Sequence, residues 1–254
     1  MGYQFIKIQQ DNQIATVWLN RPERLNALNK DMVLELDGAF DGFAADKDLR
    51  CVVITGEKNF AAGADIESMV DFTPEEAKAF AFVETFAKIE SFPLPVIAAI
   101  EGFALGGGLE LALRCDFRVT APNAKLGLPE INLGIFPGAG GTQKLPRLIG
   151  DSKAKKMIFT GGMIDGQTAL GYGLADLLAE NPLEEALKLA GDLARKAPVA
   201  LRLAKQCVNM AAETELSAGY GYEAMAWGSL FATEDQKEGM RAFLEKRKPS
   251  FTGK

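Results

Sequence analysis

Short alternating patterns of apolar and polar residues open the chain, and longer apolar strands and amphipathic helices follow them. The segments YQFIKIQ (3–9) and IATVWL (14–19) alternate in this way on either side of a polar turn, which predicts a β-hairpin. Apolar residues then recur at helical spacing over 31–45, and the β-branched run CVVITG (51–56) predicts a buried strand. A strand and a helix therefore alternate from the start.

The same succession continues through the middle of the chain. The stretch 73–92 predicts a helix that begins with Thr73 as its N-cap and Pro74 at its first position. Buried strands are predicted at PVIAAIEGF (95–103) and DFRVTA (116–121). Because strand, turn and helix recur, we expect an α/β layer fold with parallel strands.

The C-terminal part of the chain has a different pattern. From about Pro182 onward the periodicity is helical only, over 184–197, 198–211 and 233–248. Such helices cannot bury all their apolar faces against one another, so they pack on the core or on a neighbouring subunit. We therefore divide the chain into a core over 1–195 and a helical C-terminal region over 196–254.

Composition narrows the class of protein. The chain has 254 residues, 48% of them apolar, and a net charge of −6, which is typical of a globular protein with a large core. The acidic balance argues against nucleic acid as the main partner. The longest apolar run before the glycines (94–100) is cut by Glu101, so no membrane span is predicted. The N-terminus has no leader pattern, and we expect a cytoplasmic protein.

The residue counts also limit the chemistry. The chain contains no histidine, so acid–base chemistry must be carried by carboxylates, lysines or tyrosines. Cys51, Cys115 and Cys207 are scattered and lack metal-ligand spacing, and we expect them to be reduced, small apolar residues. No metal site is predicted.

A glycine run beside an acid is the first candidate for chemistry. Gly106, Gly107 and Gly108 precede Glu110 within an otherwise apolar stretch, and Glu130 lies among apolar neighbours in LGLPEINLG. A dinucleotide fingerprint fails because Leu111 stands where a third glycine is needed. A tight turn with Glu110 capping a helix is the ordinary interpretation. Two acids in apolar surroundings, however, each need a partner or a function.

Several motifs in order resemble the crotonase (enoyl-CoA hydratase/isomerase) superfamily, and within it the short-chain enoyl-CoA hydratases. The motifs are LNRPERLNALN (19–29), FAAGADI (60–66), AIEGFALGGGLELALRCDFRVT (99–120), LGLPEINLGIFPGAGGTQKLPRLIG (126–150) and ATEDQKEGMRAFLEKRKPSF (232–251). The resemblance implies a spiral of ββα turns followed by a helical trimerisation region. It also implies a homohexamer assembled as a dimer of trimers.

The resemblance further implies the reaction and its catalytic groups. Water would add reversibly across the 2,3 double bond of a short-chain trans-2-enoyl-CoA to give a 3-hydroxyacyl-CoA. By matching positions, the backbone amides of Ala64 and Gly107 would stabilise the enolate-like thioester oxygen. Glu110 would hold the attacking water and take its proton, while Glu130 would deliver a proton to Cα. Isomerases of this fold often use only the second acid, so the pair favours a hydratase.

Coenzyme A would enter only as part of the acyl-CoA substrate, and no metal or redox cofactor is implied. By resemblance, the coenzyme would lie against Arg24, Leu25, Ala27, Ala62, Asp65 and Ile66, with Phe243 and Lys246 added from a neighbouring subunit. Phe80, Phe82 and Phe86 are candidates for the wall of the acyl pocket, although for at least two of them a stripe of core aromatics is the more ordinary interpretation.

One departure from the family pattern keeps alternatives open. Many hydratases carry Gln where this chain has Leu128, shortly before Glu130. Another reaction on the same fold, such as enoyl-CoA isomerisation or dienoyl-CoA hydration, is the first alternative. An RNA-binding module of this fold is the second, and the acidic charge argues against it.

Overall fold

The computed structural model of the protein describes residues 2–80 and 82–254, without the side chain of Phe80. The strands are β1 (Ile6–Asp11), β2 (Ile14–Leu19), β3 (Cys51–Gly56), β4 (Val96–Ile100), β5 (Phe103–Leu105), β6 (Phe117–Thr120), β7 (Lys125–Gly127), β8 (Met163–Asp165) and β9 (Leu177–Leu178). The helices are α1 (Lys30–Ala45), α2 (Pro74–Phe80), α3 (Val83–Ser91), α4 (Gly107–Leu113), α5 (Gly141–Ile149), α6 (Asp151–Thr160), α7 (Gly166–Tyr172), α8 (Pro182–Ala194), α9 (Pro198–Met210), α10 (Leu216–Leu230) and α11 (Glu234–Leu244). The predicted α/β alternation is confirmed.

A six-stranded sheet in the order β1-β2-β3-β4-β6-β9 forms the centre of the fold. The predicted hairpin is confirmed, since β1 and β2 pair antiparallel with Ile8 opposite Val17. From β2 onward the neighbouring strands run parallel. Every residue of β3 and β4 is buried, as expected for parallel strands that are covered on both faces.

Alternate residues of β3 face two different apolar clusters. Val52 and Ile54 pack in the main core with α1 and α3, whereas Cys51 and Val53 pack with α8 on the opposite face. Side chains alternate between the two faces of the strand, and a layer of helices covers each face of the sheet. The sheet is thus held rigidly, and the loops at the carboxyl ends of its strands have a fixed base.

The predicted strand over 95–103 is wrong in its extent, because the structure has two strands there. β4 ends at Ile100, and β5 belongs to a second, three-stranded sheet in the order β5-β7-β8. Gly102 between them has φ +58, and a Cβ at that position would lie 2.3 Å from the Asn59 side chain and from the Lys58 carbonyl. Glycine therefore allows the chain to leave the large sheet and enter the small one.

The predicted helix over 73–92 is also divided. The structure has α2 and α3 in this region, and Ala81 between them lies outside the described residues. The predicted cap is confirmed: Thr73 Oγ1 accepts a hydrogen bond of 3.3 Å from the Glu76 amide, and Glu76 Oε2 accepts one of 2.9 Å from the Thr73 amide. This reciprocal pair is a capping box.

The helical character of the C-terminal region is confirmed, with α8, α9 and α11 close to their predicted limits. Thr233 caps α11 as predicted, since its Oγ1 accepts a 3.1 Å hydrogen bond from the Gln236 amide. Sequence periodicity did not predict α10, because its apolar residues are distributed around the helix. Tyr220, Met225 and Trp227 of α10 remain exposed by 62–71%. Among the described helices, none combines the length and the apolar character needed to cross a bilayer.

Candidate active site

The segment Phe60–Ala64, which follows β3, lies between two other backbone segments. On one side Leu28 donates a 2.7 Å hydrogen bond to the Gly63 carbonyl, and the Ala62 amide donates one of 3.0 Å to Leu25. On the other side Leu105 of β5 donates a 3.0 Å hydrogen bond to the Ala61 carbonyl. These bonds fix the backbone of the segment independently of any side chain, so its amides point in defined directions.

Glycines control how β5 turns into α4. Gly106 has φ +48, a conformation that favours glycine, and it joins the strand to the helix. A Cβ at Gly108 would lie 2.3 Å from the Ala61 carbonyl oxygen, so the close backbone approach occurs at Gly108. Gly107 is less crowded, because the atom nearest to a Cβ at Gly107 is the Ala64 amide nitrogen, at 3.6 Å.

The amides of Ala64 and Gly107 border the same space. Within residues 2–80 and 82–254, neither of these amides donates a hydrogen bond to a protein group. A side chain at Gly107 would enter the space next to the Ala64 nitrogen. Two backbone donors without protein acceptors therefore lie together at the start of α4, where a ligand oxygen could accept from both.

Glu110 projects from the middle of α4, a helix in which every residue is buried. The residue is 3% exposed, which excludes an exposed helix cap. Its Oε1 accepts hydrogen bonds from the amides of Ala139 (2.8 Å) and Gly141 (2.7 Å). Burial raises the pKa of Glu110 above its ordinary value, while these two amides and the charge of Arg114 act in the opposite direction.

Glu130 has a different environment. It lies in a short 3₁₀-helix over Pro129–Leu133, two residues after the buried Leu128. Its Oε2 is buried and has no hydrogen-bond partner among the described residues. Its Oε1 lies 3.1 Å from where a Cβ of Gly106 would stand. Burial, reinforced by the negative charge of Glu110, raises the pKa of Glu130 to about 7.

The two carboxyl groups are therefore unequal. Glu110 is anchored by two amides through one oxygen, whereas Glu130 is half-buried and poised to hold a proton near neutral pH. Such a pair can supply a base and an acid at the same time. No group of three or more carboxylate or thiol side chains in the described part of the chain is arranged to hold a metal ion.

Phe82, the residue before α3, lies beside the two free amides. The Cε2 atom of Phe82 and the Cδ1 atom of Leu28 each stand 3.8 Å from the position of a Cβ at Gly107. Phe86 is fully buried in the main core, with its ring 5.6 Å from that of Phe82. Of the three aromatic candidates for the acyl wall, Phe82 is the one placed at the site, Phe86 belongs to the core, and the side chain of Phe80 lies outside the described part.

The structure groups most of the residues expected to contact coenzyme A. Leu25 and Ala62 are joined by a backbone hydrogen bond, and Asp65 donates its amide to the carbonyl of Leu28, beside Ala27. Ile66 is 45% exposed. Arg24 forms an exposed ion pair with Glu67, with the charged atoms 3.0 Å apart. These residues form one edge of the site.

Phe243 and Lys246 are not joined to this edge. Both are exposed near the end of α11, and neither has a hydrogen bond or an ion pair to residues 24–28 or 61–66 among the described residues. This position is compatible with the expectation that they act on a neighbouring subunit.

Sequence reasoning missed the residues that hold the site together. Arg21 donates hydrogen bonds to the Ala27 carbonyl (2.7 Å) and to Asp65 Oδ2 (2.9 Å), and so ties the two loops of the coenzyme edge. Arg114 donates a 2.9 Å hydrogen bond to the Ala139 carbonyl. The only signal for Arg114 in the sequence is a charged residue at the end of an apolar helix.

Comparisons with known proteins identify the family of this chain. The family model described as "Enoyl-CoA hydratase/isomerase" matches residues 9–254. The chain is 45% identical to a crotonyl-CoA hydratase of Syntrophomonas wolfei, with full coverage of both proteins, and 41% identical to a short-chain-enoyl-CoA hydratase of Clostridium acetobutylicum over 95% of each. The crystal structure of an enoyl-CoA hydratase from Bacillus anthracis is 38% identical and superposes with a TM-score of 0.95, covering 99% of this chain and all of that one.

Proposed function

The chain belongs to the enoyl-CoA hydratase/isomerase family, and we propose how it works as an enoyl-CoA hydratase. It adds water reversibly across the 2,3 double bond of a short-chain trans-2-enoyl-CoA and forms the 3-hydroxyacyl-CoA. Coenzyme A takes part only as a portion of the substrate, and carboxylates and backbone amides carry the reaction without a further cofactor.

The presence of two unequal carboxyl groups at one site is the observation that carries this proposal. Moving a double bond needs one group to shuttle one proton, whereas adding water needs a base for the water and an acid for the carbon. Glu110, anchored by the amides of Ala139 and Gly141, suits the base, and Glu130, with a pKa of about 7, suits the acid. The pair therefore favours hydration over isomerisation.

The chemistry begins at the thioester carbonyl. Attack at C3 places negative charge on the thioester oxygen, and donors that are already oriented stabilise that charge without reorganising. The amides of Ala64 and Gly107 are the groups available for this role, because neither has a protein acceptor in the described chain. We place the substrate carbonyl between them and its acyl chain toward Phe82, whose Cε2 stands 3.8 Å from the position of a Cβ at Gly107.

Two proton movements complete the addition. Glu110 Oε2 accepts a proton from water as the water oxygen bonds to C3, and the carboxyl of Glu130 gives its proton to C2 as the enolate collapses. Exchange with solvent then restores an ionised Glu110 and a protonated Glu130. Dehydration follows the same steps in reverse, with the roles of the two acids exchanged.

Assembly completes the coenzyme edge. The exposed apolar residues of α10 support a homo-oligomer, and we propose a homohexamer built as a dimer of trimers. In this assembly Phe243 and Lys246 of one subunit contact the coenzyme bound along residues Arg24–Ala27 of the next. Light scattering after size exclusion tests the stoichiometry, since a monomer would leave the coenzyme edge without these two residues.

The test of function follows the absorbance of the conjugated enoyl thioester. Purified protein should consume crotonyl-CoA rapidly and act more slowly on hexenoyl-CoA and longer chains. Glu110→Gln and Glu130→Gln should each lose most of kcat and still bind acyl-CoA, because amide and carboxylate are nearly isosteric. Glu180→Gln, the same change at an exposed position, serves as the control.

Two results would contradict the proposal. Conversion of a 3-enoyl-CoA to the conjugated thioester without hydration would indicate an isomerase. Near-normal hydration by either Gln variant would remove that residue from the mechanism.

A further inference from the structure

Arg114 lies at the end of α4, one helical turn after Glu110. Its guanidinium donates from Nη2 to the Ala139 carbonyl at 2.9 Å and forms an ion pair through Nη1 with Glu90 of α3. Ala139 is therefore bound from two directions, because its amide donates to Glu110 Oε1 while its carbonyl accepts from Arg114.

The guanidinium also packs directly on the next residue of this turn. Gly140 has φ +117, and a Cβ at that position would lie 2.3 Å from Arg114 Nη2. Gly141 follows and supplies the second amide to Glu110. The turn 139–141 thus lies between the guanidinium of Arg114 and the carboxylate of Glu110.

Glu90 holds Arg114 in place and is itself paired with Lys144. Glu90 forms ion pairs with both Arg114 and Lys144 of α5. The side chains of Arg114, Glu90 and Lys144 are only 12%, 20% and 26% exposed, so water screens the cluster weakly. The cluster joins α3, α4 and α5 directly behind the catalytic helix.

Stability alone does not explain this arrangement. Arg114 Nε is buried and has no hydrogen-bond partner among the described residues, which is unfavourable for a charged group. The bonds that Arg114 does make are directed at the turn and at Glu90. Its contacts therefore serve the geometry of the turn.

We propose that Arg114 is a positioning residue for Glu110, acting through the 139–141 turn and supported by Glu90 and Lys144. The inference rests on the proposed function, since it takes Glu110 to be the group that activates water. Arg114 touches no substrate atom in this arrangement. Its role is to keep the two amides aimed at Oε1, so that Oε2 faces the water.

The charges around Glu110 determine in which direction its pKa should move when Arg114 is replaced. The charged groups that face it within the described residues are Arg114 on its own helix and Glu130 on the 3₁₀-helix, with Glu90 and Lys144 behind Arg114. Arg114 lowers the pKa of Glu110, and so do the two amides of the turn. Removing Arg114 eliminates its charge and loosens the two amides of the turn. The pKa of Glu110 should therefore rise.

The experiment compares wild-type protein with Arg114→Met, Arg114→Lys and Glu90→Gln. The kcat and KM for crotonyl-CoA are measured against pH, and the Glu110 carboxyl is titrated by NMR with ¹³C-labelled glutamate, its resonance assigned from Glu110→Gln. Arg114→Met should lower kcat by about 10- to 100-fold, with KM changed less than about threefold. The pKa of Glu110 and the acid limb of the kcat profile should move to higher pH together.

The other variants separate charge from geometry. Arg114→Lys keeps the positive charge but lacks the planar guanidinium group. The pKa of Glu110 in this variant should therefore return closer to its wild-type value than kcat does. Glu90→Gln leaves Arg114 without its ion pair and should weaken kcat in the same direction. The matched control is Arg118→Met, because Arg118 is also a buried arginine that binds a carboxylate and backbone carbonyls, but away from the turn. It should destabilise the fold and leave the pKa of Glu110 unchanged.

An Arg114→Met protein with wild-type kcat and an unchanged Glu110 titration would overturn the inference, as would an Arg118→Met protein that reproduces both changes. The titration needs no turnover. Failure of wild-type protein to hydrate crotonyl-CoA would therefore refute the proposed function separately, and the NMR result would still decide whether Arg114 controls Glu110.

Discussion

The amide of Gly141 donates a 2.7 Å hydrogen bond to Oε1 of Glu110, across a separation of 31 residues in sequence. Gly141 is the first residue of α5, and Glu110 lies in α4. A residue on one helix thus fixes the carboxylate of another. The carboxylate that we propose as the base is thus oriented by backbone amides of another segment, and this makes the orientation testable.

A methyl group at Gly141 should disturb the carboxylate without preventing folding. The Cβ of Gly141→Ala would lie 3.0 Å from Glu110 Oε1 and from Leu128 Cδ1, and 2.8 Å from Pro137 Cβ. We expect kcat for crotonyl-CoA to fall by about 10- to 100-fold with a smaller change in KM, because the carboxylate is displaced. Steady-state kinetics measures both parameters.

Gly138→Ala is the matched control for this change. A Cβ at Gly138 meets no atom within 4 Å, so this variant should retain wild-type kinetics. Equal loss of activity in the two variants would indicate that the loop as a whole, and not the bond to Glu110, limits the rate.

Gly107 and Gly108 should respond differently to substitution. Gly107→Val places its Cβ beside the Ala64 amide without a clash, at van der Waals distance from Leu28 and Phe82, and should lower kcat by about 100- to 1000-fold while the protein stays folded. Gly108→Ala forces a Cβ to 2.3 Å from the Ala61 carbonyl oxygen and should lower the melting temperature. Calorimetry with kinetics separates the two. A folded, fully active Gly107→Val protein would remove the amide pair from the mechanism.

The sequence motifs located the glycine turn and Glu110 as one unit, and the reason is local. Gly106 to Glu110 form one strand-to-helix turn, so their relative positions follow from neighbouring residues. The fold class was predictable for a similar reason, because buried strands such as β3 are recognisable from their own β-branched residues.

The residues that support the site, such as Arg114 and Arg21, act through contacts between segments that are distant in sequence, which no local pattern encodes. Arg114 reaches Ala139, and Arg21 reaches Asp65, only because the fold brings separate segments together. The break between β4 and β5 was missed because apolar residues stand on both sides of the short interruption at Glu101 and Gly102, so the two strands resemble one. The helix α10 was missed because its apolar residues have no single face.

The raised pKa of Glu130 predicts that this carboxyl group destabilises the fold at high pH. Burial moves this pKa from its ordinary value of 4.5 to about 7, so between these values the folded chain keeps a proton that the unfolded chain has released. The free energy of unfolding therefore falls as the pH rises through this window. Glu130→Gln cannot ionise and should be more stable than wild type at pH 8, by about 1–2 kcal/mol after allowance for partial exposure of the group.

Denaturant unfolding at pH 4 and pH 8 measures this difference. The increase in the free energy of unfolding caused by Glu130→Gln should shrink toward zero at pH 4, because there the wild-type carboxyl is protonated in both the folded and the unfolded chain. Glu180→Gln, at an exposed position, is the control and should show no such dependence. A gain of the same size at both pH values would mean that the amide improves packing, and that the carboxyl does not titrate as described.

Phe82 should limit the length of the acyl chain. Its ring stands beside the space between the Ala64 and Gly107 amides, so shortening it opens room where we propose that the acyl chain of the substrate extends. Phe82→Ala should raise the ratio of kcat/KM for hexenoyl-CoA to that for crotonyl-CoA by about tenfold or more, since each accommodated methylene is worth about 1–3 kcal/mol. Phe86→Ala removes a fully buried ring of the main core and should lower stability by about 3–5 kcal/mol without changing the ratio. If the two variants shift the ratio equally, chain length is set by the general packing of α3, and Phe82 has no special part in it.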